Sequence, residues 1–476
     1  MNTYAAIVLA AGKGTRMRST LPKVLHQIAG LPLLAYVLDA IDSITTTDIF
    51  SPLVSTTTSH RPIVVLGHEA QQVEDQFGTR CHYAFQEEQL GTGHAVLAAE
   101  HTALALNPIP QTILVCYGDT PLISGQILAR VLLEHITSEA TLTFLTAITE
   151  YPSDFGRVVR DARGKVQAIV EMKRATEEQK QINEVNSGVY CFAQQWLWSA
   201  LHMLPKNGSG EYYLTDLVAM ASNQGCRIAT VSGSLNETIG INDRVQLAAA
   251  ERLLRTRVLE KHMYAGVTIL DPANTYIDAH VEIGADTVIF PGTMIMGKSR
   301  IGSACRIGPG TTIDDSLLGN GCVVRNSVLE GSTVEDGVSI GPFSHCRPGS
   351  HLARNVRMGN FAEVKNSYIG AETDMHHFSY IGDAAVGEHV NIGAGTITCN
   401  YDGVHKNRTT IENNAFIGSD TMLIAPVTVG ENAITGAGSV VNHDVSPGAV
   451  VVGVPARVLR VPQPSDDSKT GDVIKE

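Results

Sequence analysis

The sequence predicts two domains in tandem: an α/β domain on a Rossmann-like, mostly parallel sheet, then a left-handed parallel β-helix of hexapeptide repeats. Three observations carry this reading. Apolar strand-like runs alternate with helical stretches through the first half, which is the pattern of an α/β sheet. Aliphatic–glycine pairs recur at short, regular intervals through the second half. One long helical pattern stands between the two textures.

The first domain is placed at residues 1–240, with strand-like runs AAIVLA (5–10), PIVVLG (62–67), TILVCYGD (112–119) and ATLTFLTA (140–147). The Ser/Thr-rich stretch 43–62 reads as a surface loop between the first helix and the second strand. Residues 241–264 form a connecting helix, with Asn242 as its cap and Leu247, Leu254 and Val258 on one face. The β-helix covers 265–458. Ile283-Gly284, Ile301-Gly302, Ile307-Gly308, Ile369-Gly370 and Ile381-Gly382 mark its phase, and separations such as 283 to 301 and 369 to 381 are multiples of six. Each hexapeptide forms one side of a triangular coil and points one aliphatic side chain inward. Three such sides close a coil, and stacking converts the inward residues into a continuous apolar column. Roughly ten coils at about 4.8 Å give a prism on the order of 50 Å long. The segment CNYDGVHKNRTT (399–410) breaks the phase and is too polar for a side, so it loops out. Residues 459–476 are polar and read as a disordered tail.

Composition excludes some classes of function. A net charge of −13 over 476 residues argues against a nucleic-acid-binding protein but leaves room for local phosphate sites. No apolar run is long enough to span a bilayer, and the N-terminus lacks the basic segment of a leader peptide. The eight cysteines form no CxxC pair, which fits free thiols in a reducing, cytoplasmic setting.

The chemistry-bearing residues of the first half begin with Leu9, Ala10, Ala11 and Gly12, which continue through Lys13-Gly14-Thr15-Arg16 to Leu21-Pro22-Lys23. A strand running into a Gly-rich loop turns backbone N–H groups toward a phosphate chain. Arg16 and Lys23 can neutralise a transferring phosphoryl group and a departing pyrophosphate. Tyr117-Gly118-Asp119 ends a strand, where ligands of open α/β sheets sit, and Asp119 offers a hard oxygen to Mg²⁺. Gln86, Gly91 and Thr92 form a second Gly-bearing loop, with polar side chains suited to a uracil edge. Gly156, Glu171 and Asn186 lie in segments whose amide and carboxylate groups suit sugar hydroxyls. In the second half, His376-His377 sit at a β-helix turn, where a neutral imidazole can take a proton from an amine. Arg347 and Lys365 suit a sugar phosphate, and Asn391, Asn400 and Tyr401 add polar contacts.

Taken in order, LAAGKGTRM, LPK, QLGTGHA, YGD, the Glu171 segment and Asn242 resemble the bacterial bifunctional N-acetylglucosamine-1-phosphate uridyltransferase / glucosamine-1-phosphate N-acetyltransferases, over residues 3–458. The resemblance implies two activities: acetyl transfer from acetyl-CoA to glucosamine-1-phosphate, then uridylyl transfer from UTP to N-acetylglucosamine-1-phosphate. It implies UTP and sugar contacts from Leu9 to Gly12, Lys23, Gln86, Gly91, Thr92, Tyr117 to Asp119, Gly156, Glu171, Asn186 and Asn242, with Asp119 and Asn242 as Mg²⁺ ligands. For acetyl transfer it implies His377 as general base and Arg347, Lys365, Tyr380 and Asn391 on the sugar phosphate. Ala394, Asn400, Tyr401, Ser419 and Ala437 would contact acetyl-CoA, and Arg457 would substitute for an arginine the family carries where Val454 stands here. Ser187 and Asp243 also depart from the family pattern, which has Thr and Asn there. The family expectation for the assembly is a homotrimer. The competing reading is a single-activity sugar-phosphate nucleotidyltransferase with a structural or regulatory β-helix; the Arg347, Lys365, His377 and Tyr380 set argues against it.

Overall fold

A computed structural model describes residues 2–47, 57–67, 70–150, 152, 155–208 and 210–461. The chain divides into two compact units, Met1–Leu254 and Arg255–Glu476.

The first unit is built on one mixed sheet. Strand Asn2–Leu9 lies at its centre, with Ile63–Leu66 and Thr112–Tyr117 parallel on either side and His82–Phe85 parallel beyond Ile63–Leu66. Glu184–Ala193 then runs antiparallel to Thr112–Tyr117 and to Leu142–Ile148. The central strand shows why both sheet faces are covered. Tyr4, Ala6 and Val8 enter one core, with helices Leu33–Asp42 and Gly125–Thr137, while Ala5, Ile7 and Leu9 enter the other, with helices Thr92–Ala98 and Gln194–His202. Period-two alternation with both faces apolar gives a three-layer sandwich. The 43–62 stretch is only partly loop: Thr57–Ser59 pairs in parallel with Asn2–Tyr4, and 48–56 lies outside the described residues.

The connecting helix runs from Arg244 to Tyr264, and the boundary between the units falls within it. Its cap differs from the expectation. Asp243, not Asn242, accepts from the Gln246 backbone N–H at 2.8 Å, and the Gln246 side chain accepts in return from the Asn242 N–H at 2.7 Å. The carboxylate one residue further on closes the helix start and leaves the Asn242 side chain free to face the site.

The second unit is the β-helix, with three sheets of 12, 10 and 9 strands. Aliphatic residues stack in register: Ile289, Ile307, Val324 and Ile340 form part of one ladder, and Ile277, Ile295, Ile313 and Leu329 part of another. The expectation of uniform coils, each of three full hexapeptides, is corrected. Ile289 and Ile307 stand one full coil apart, but Val324 arrives one position early and Ile340 two positions early. The shortened sides turn through a left-handed residue with a small positive φ, as at Asp315 (44°), Asn326 (42°), Asn366 (45°) and Asp383 (50°). Buried hydroxyls satisfy the corners: Ser316 donates to the Asp314 carbonyl at 2.8 Å and accepts from the Ser332 N–H at 3.1 Å. The step from Ile392 to Ile417 is much longer than a full coil because it contains the expected loop, whose bounds are narrower than 399–410: Cys399 ends strand Ile397–Cys399, and Thr409 and Thr410 open strand Thr409–Ile411. The last strand, Arg457–Arg460, reaches beyond residue 458 and reverses onto Val450–Val452; from 462 onward the expected tail lies outside the described residues.

Candidate active sites

In the first unit the adjacent ends of two parallel strands build the site. The Gly118 N–H donates to the Leu9 carbonyl at 3.0 Å, so the loops after Asn2–Leu9 and Thr112–Tyr117 open side by side. A cavity of about 330 Å³ is lined by Leu9, Ala10, Ala11, Gly12, Lys23, Gln86, Gly91, Thr92, Tyr117 and Asp119, all expected from the sequence. A β-carbon on Gly12 would meet no protein atom within 4 Å, so the space beside it belongs to the cavity. Gly91 holds φ +97°, and a β-carbon there would stand 2.7 Å from the Tyr212 carbonyl; only glycine lets this loop pack and start the helix at Thr92. Gln86 donates to the Gly91 carbonyl at 3.0 Å and lies 3.1 Å from His94 Nδ1, which commits its amide nitrogen and leaves its oxygen as the free acceptor.

A second cavity of about 500 Å³ shares Tyr117 and Asp119 with the first and is lined by Arg16, Gly156, Glu171, Asn186 and Asn242, with Ser187 and Gln246. Burial pushes the Glu171 carboxyl up from its usual value, against a hydrogen bond from the Thr215 hydroxyl at 2.9 Å. Gly118 lines neither cavity. A β-carbon there would press on Leu34, Val24 and Ala10, so its smallness serves packing behind the site.

Lys23 lines the first cavity and reaches Asp119, which the two cavities share. A β-carbon on Gly14 would come within 2.8 Å of Lys23 Cβ, so this glycine permits the approach of the lysine. The ammonium pairs with Asp119 and donates to Asn242 Oδ1 at 3.3 Å. A carboxylate and an amide oxygen thus converge on one cation, a donor set of the hard-oxygen kind Mg²⁺ takes together with substrate phosphates. Among the described residues no cluster of three or more His, Cys, Asp or Glu could hold a metal by itself. Gln89 and Glu211 also line the first cavity; Gln89 opens the QLGTGHA motif but had no role assigned to it, and nothing in the sequence around Glu211 distinguishes it from a surface residue.

In the second unit, strand register organises the predicted residues into columns. Pairing of Met358, Met375 and Ile392, and of Ile417 and Thr435 above them, puts Asn360, His377, Ala394, Ser419 and Ala437 at equivalent places on successive coils. Arg347 and Lys365 occupy equivalent places on the next sheet, one coil apart. Arg347 is paired with Glu363 at 2.9 Å. The neighbouring Lys406 ammonium pushes Lys365 below its usual value, with Arg347 adding to the effect. Lys406 comes from the 399–410 loop and was not foreseen, because its proximity depends on how that loop folds back. Asn400 anchors the loop by donating to Asp383 at 2.5 Å, and the exposed Tyr401 donates to the Gly403 carbonyl at 2.6 Å. The Tyr380 ring folds over Gly382, where a β-carbon would collide with its hydroxyl.

On one prism His377 stands on one sheet and Arg347, Lys365 and Tyr380 on the next. The cavity of about 450 Å³ on this unit is lined by His351, Asn366, Asp383, Lys406 and Arg408, among others, and contains none of His377, Arg347, Lys365, Tyr380 and Asn391. Arg457 is exposed, and among the described residues the hydrogen bond of its side chain goes to the Ala456 carbonyl.

The sheet, its glycine-lined cleft and the stacked hexapeptide coils define a nucleotidyltransferase joined to a hexapeptide-repeat transferase. Comparison with known families agrees: residues 5–236 match the nucleotidyl transferase family, and 280–315 and 408–443 match the bacterial transferase hexapeptide family. The chain is 48% identical to the bifunctional protein GlmU of Heliobacterium modesticaldum over 457 residues, covering 95% of this chain and 96% of that protein. It is 46% identical to that of Geobacillus sp. WCH70 over 449 residues, 94% of each chain. With the protein of Trichlorobacter lovleyi it shares 44% identity over 482 residues, covering 100% of this chain and 99% of that one. The chain belongs to the bifunctional GlmU family. It is an enzyme of UDP-N-acetylglucosamine synthesis with an acetyltransferase and a uridyltransferase activity.

Proposed function

We propose that uridylyl transfer takes place where the two cavities meet at Tyr117 and Asp119, beside Lys23, and that acetyl transfer runs along the column that starts at His377. The uridine of UTP lies in the first cavity against Leu9 to Gly12, Gln86, Gly91 and Thr92. N-acetylglucosamine-1-phosphate lies in the second, with Gly156, Glu171 and Asn186 on the sugar. Its phosphate oxygen attacks the α-phosphorus of UTP, the bond to the β-phosphate oxygen breaks, and pyrophosphate leaves. Lys23 and Arg16 offset the charge that builds on the phosphates, so positioning and electrostatics supply the acceleration. Asp119 and Asn242 would hold Mg²⁺, which when bound draws charge from the phosphate oxygens. The observation that carries this reading is the convergence of Asp119 and Asn242 on the Lys23 ammonium.

For acetyl transfer, His377 takes a proton from the amine of glucosamine-1-phosphate as the nitrogen attacks the thioester carbonyl. The C–S bond then breaks, and the thiolate of CoA leaves and is protonated. Arg347, Lys365, Tyr380 and Asn391 bind the sugar phosphate, joined by Lys406. The CoA arm descends past Ala394, Ser419 and Ala437. The three coil steps from His377 to Ala437, at about 4.8 Å each, make a track of about 14 Å, along which most of an extended pantetheine arm can lie. Asn400 and Tyr401 flank this track and Arg457 meets the CoA phosphates. Because His377 is exposed on the prism surface and lies outside the cavity described on this unit, we propose a homotrimer in which a neighbouring prism completes each acetyl site. The exposed Phe343, Phe361 and Phe378, the first two stacked at 5.3 Å, support an apolar contact of this kind. We place the enzyme in the cytoplasm, the compartment that supplies UTP and acetyl-CoA; among the described residues no helix is long and apolar enough to cross a membrane. The domain limits of the proposal are those read from the sequence, with the tail starting after Arg460.

Two half-reactions test the assignment. Asp119→Asn is expected to abolish pyrophosphate release from UTP and leave CoA release intact; His377→Ala is expected to do the reverse. If Asp119→Asn leaves pyrophosphate release at the wild-type rate, the phosphoryl site lies elsewhere.

A further inference from the structure

Resting on the reading of His377 as the base, we infer that Asn360 is a positioning residue for acetyl transfer: it holds His377 in the tautomer whose Nε2 accepts the proton. His377 Nδ1 lies 3.1 Å from Asn360 Oδ1. An amide oxygen only accepts, so this contact requires the proton on Nδ1 and leaves the Nε2 lone pair for the substrate amine. The contact is a product of the coil geometry. Most strands of this sheet span two residues, but Arg357–Asn360 and Asp374–His377 each span four, and the extended ladder brings Asn360 directly beneath His377. The Phe378 N–H donates to the Asn360 carbonyl at 3.0 Å and locks that register. Gly359 makes the approach possible, since a β-carbon there would collide with the His376 carbonyl oxygen.

The titratable and charged groups on the surrounding elements are few. His376 lies 6.1 Å away ring to ring on the same strand, with Asp374 beside it and Arg357 paired to Asp374 from the strand below. The strand above, Asn391–Ile392, carries no charged group, and around the corner stand Tyr380 and the Glu363–Arg347 pair. Asp374 is already engaged by Arg357, and no contact of Asp374 with His377 is present among the described residues, so the orientation of His377 falls to the neutral amide of Asn360.

The test is the pH profile of acetyl transfer, followed as CoA thiol release, in the full chain carrying Asn360→Ala or Asn360→Asp, with His377→Ala in parallel. Asn360→Ala is expected to lower kcat by tenfold or more, toward the roughly 10²–10⁴-fold worth of a general base, with KM for glucosamine-1-phosphate little changed. Asn360→Asp keeps an acceptor oxygen and adds a negative charge that favours the imidazolium. It is expected to recover activity over the Ala variant and to move the acid limb of kcat/KM to higher pH. Far-ultraviolet circular dichroism and the oligomeric state in solution report whether the β-helix of each variant is folded, and pyrophosphate release from UTP reports on the first unit. The inference is overturned if Asn360→Ala keeps the wild-type kcat, or if both variants lose activity equally with an unmoved acid limb. Failure of the underlying reading looks different: His377→Ala would then retain acetyl transfer.

Discussion

His135 makes the stability of the first unit dependent on pH in a way the structure quantifies. It lies buried on helix Gly125–Thr137, which packs on the sheet that carries the nucleotide loop, and its Nδ1 lies 3.0 Å from the Thr143 hydroxyl. Burial pushes its pKa down from 6.5 to about 4. Between those values the unfolded chain binds a proton that the folded one refuses, so stability rises with pH through this window and is lost as pH falls. The full difference is worth about 3 kcal/mol, and the linkage relation assigns about 2 kcal/mol of it to the interval from about pH 7.5 to about pH 5. Both tryptophans, Trp196 and Trp198, lie in the first unit, so their fluorescence in a urea titration reports on that unit alone. Burial also lowers His26 and His82, so the wild-type slope contains more than one group. The comparison with His135→Gln, whose amide can still meet Thr143, isolates the single contribution. The variant should lose about 2 kcal/mol less than the wild type over that interval. Parallel pH dependences in the two proteins would refute the reasoning.

Two further substitutions probe local devices. Gly91→Ala places a side chain at φ +97° and against the Tyr212 carbonyl, so it should destabilise the first unit by about 1–3 kcal/mol and suppress pyrophosphate release while CoA release persists; fluorescence melts and the two half-reactions check this. Asp243→Ala removes the cap of the connecting helix and should cost about 1 kcal/mol in the same urea titration, whereas Asn242→Ala should leave stability nearly unchanged and lower uridylyl transfer.

The parts of both sites that lie within one contiguous motif were legible in the sequence. Leu9 to Gly12 and Tyr117 to Asp119 meet because two parallel strands end together, and a strand–glycine–loop pattern reveals each end separately. The β-helix was legible because its inward ladder repeats. What escaped depends on register between coils. Asn360 and His377 stack across a shortened coil, and a mixture of full and shortened coils hides from the sequence which residues meet. Lys406 was hidden because loop 399–410 has no period to follow. The helix cap went to Asn242 in the sequence reading because Asn and Asp are comparable caps; only the structure shows Asp243 bonded to Gln246 and Asn242 turned to Lys23. Gly118 looked like a site residue by position, and its neighbours Val24 and Leu34 reveal a packing role.

The central claim is that one chain carries two separable sites, and mixing tests it most directly. His377→Ala and Asp119→Asn are each supplied with acetyl-CoA, glucosamine-1-phosphate, UTP and Mg²⁺, alone and together, and UDP-N-acetylglucosamine is measured. The account predicts almost no product from either variant alone and restored synthesis from the mixture, because N-acetylglucosamine-1-phosphate made by one protein feeds the other. Product from His377→Ala alone at the wild-type rate, or none from the mixture, would contradict it.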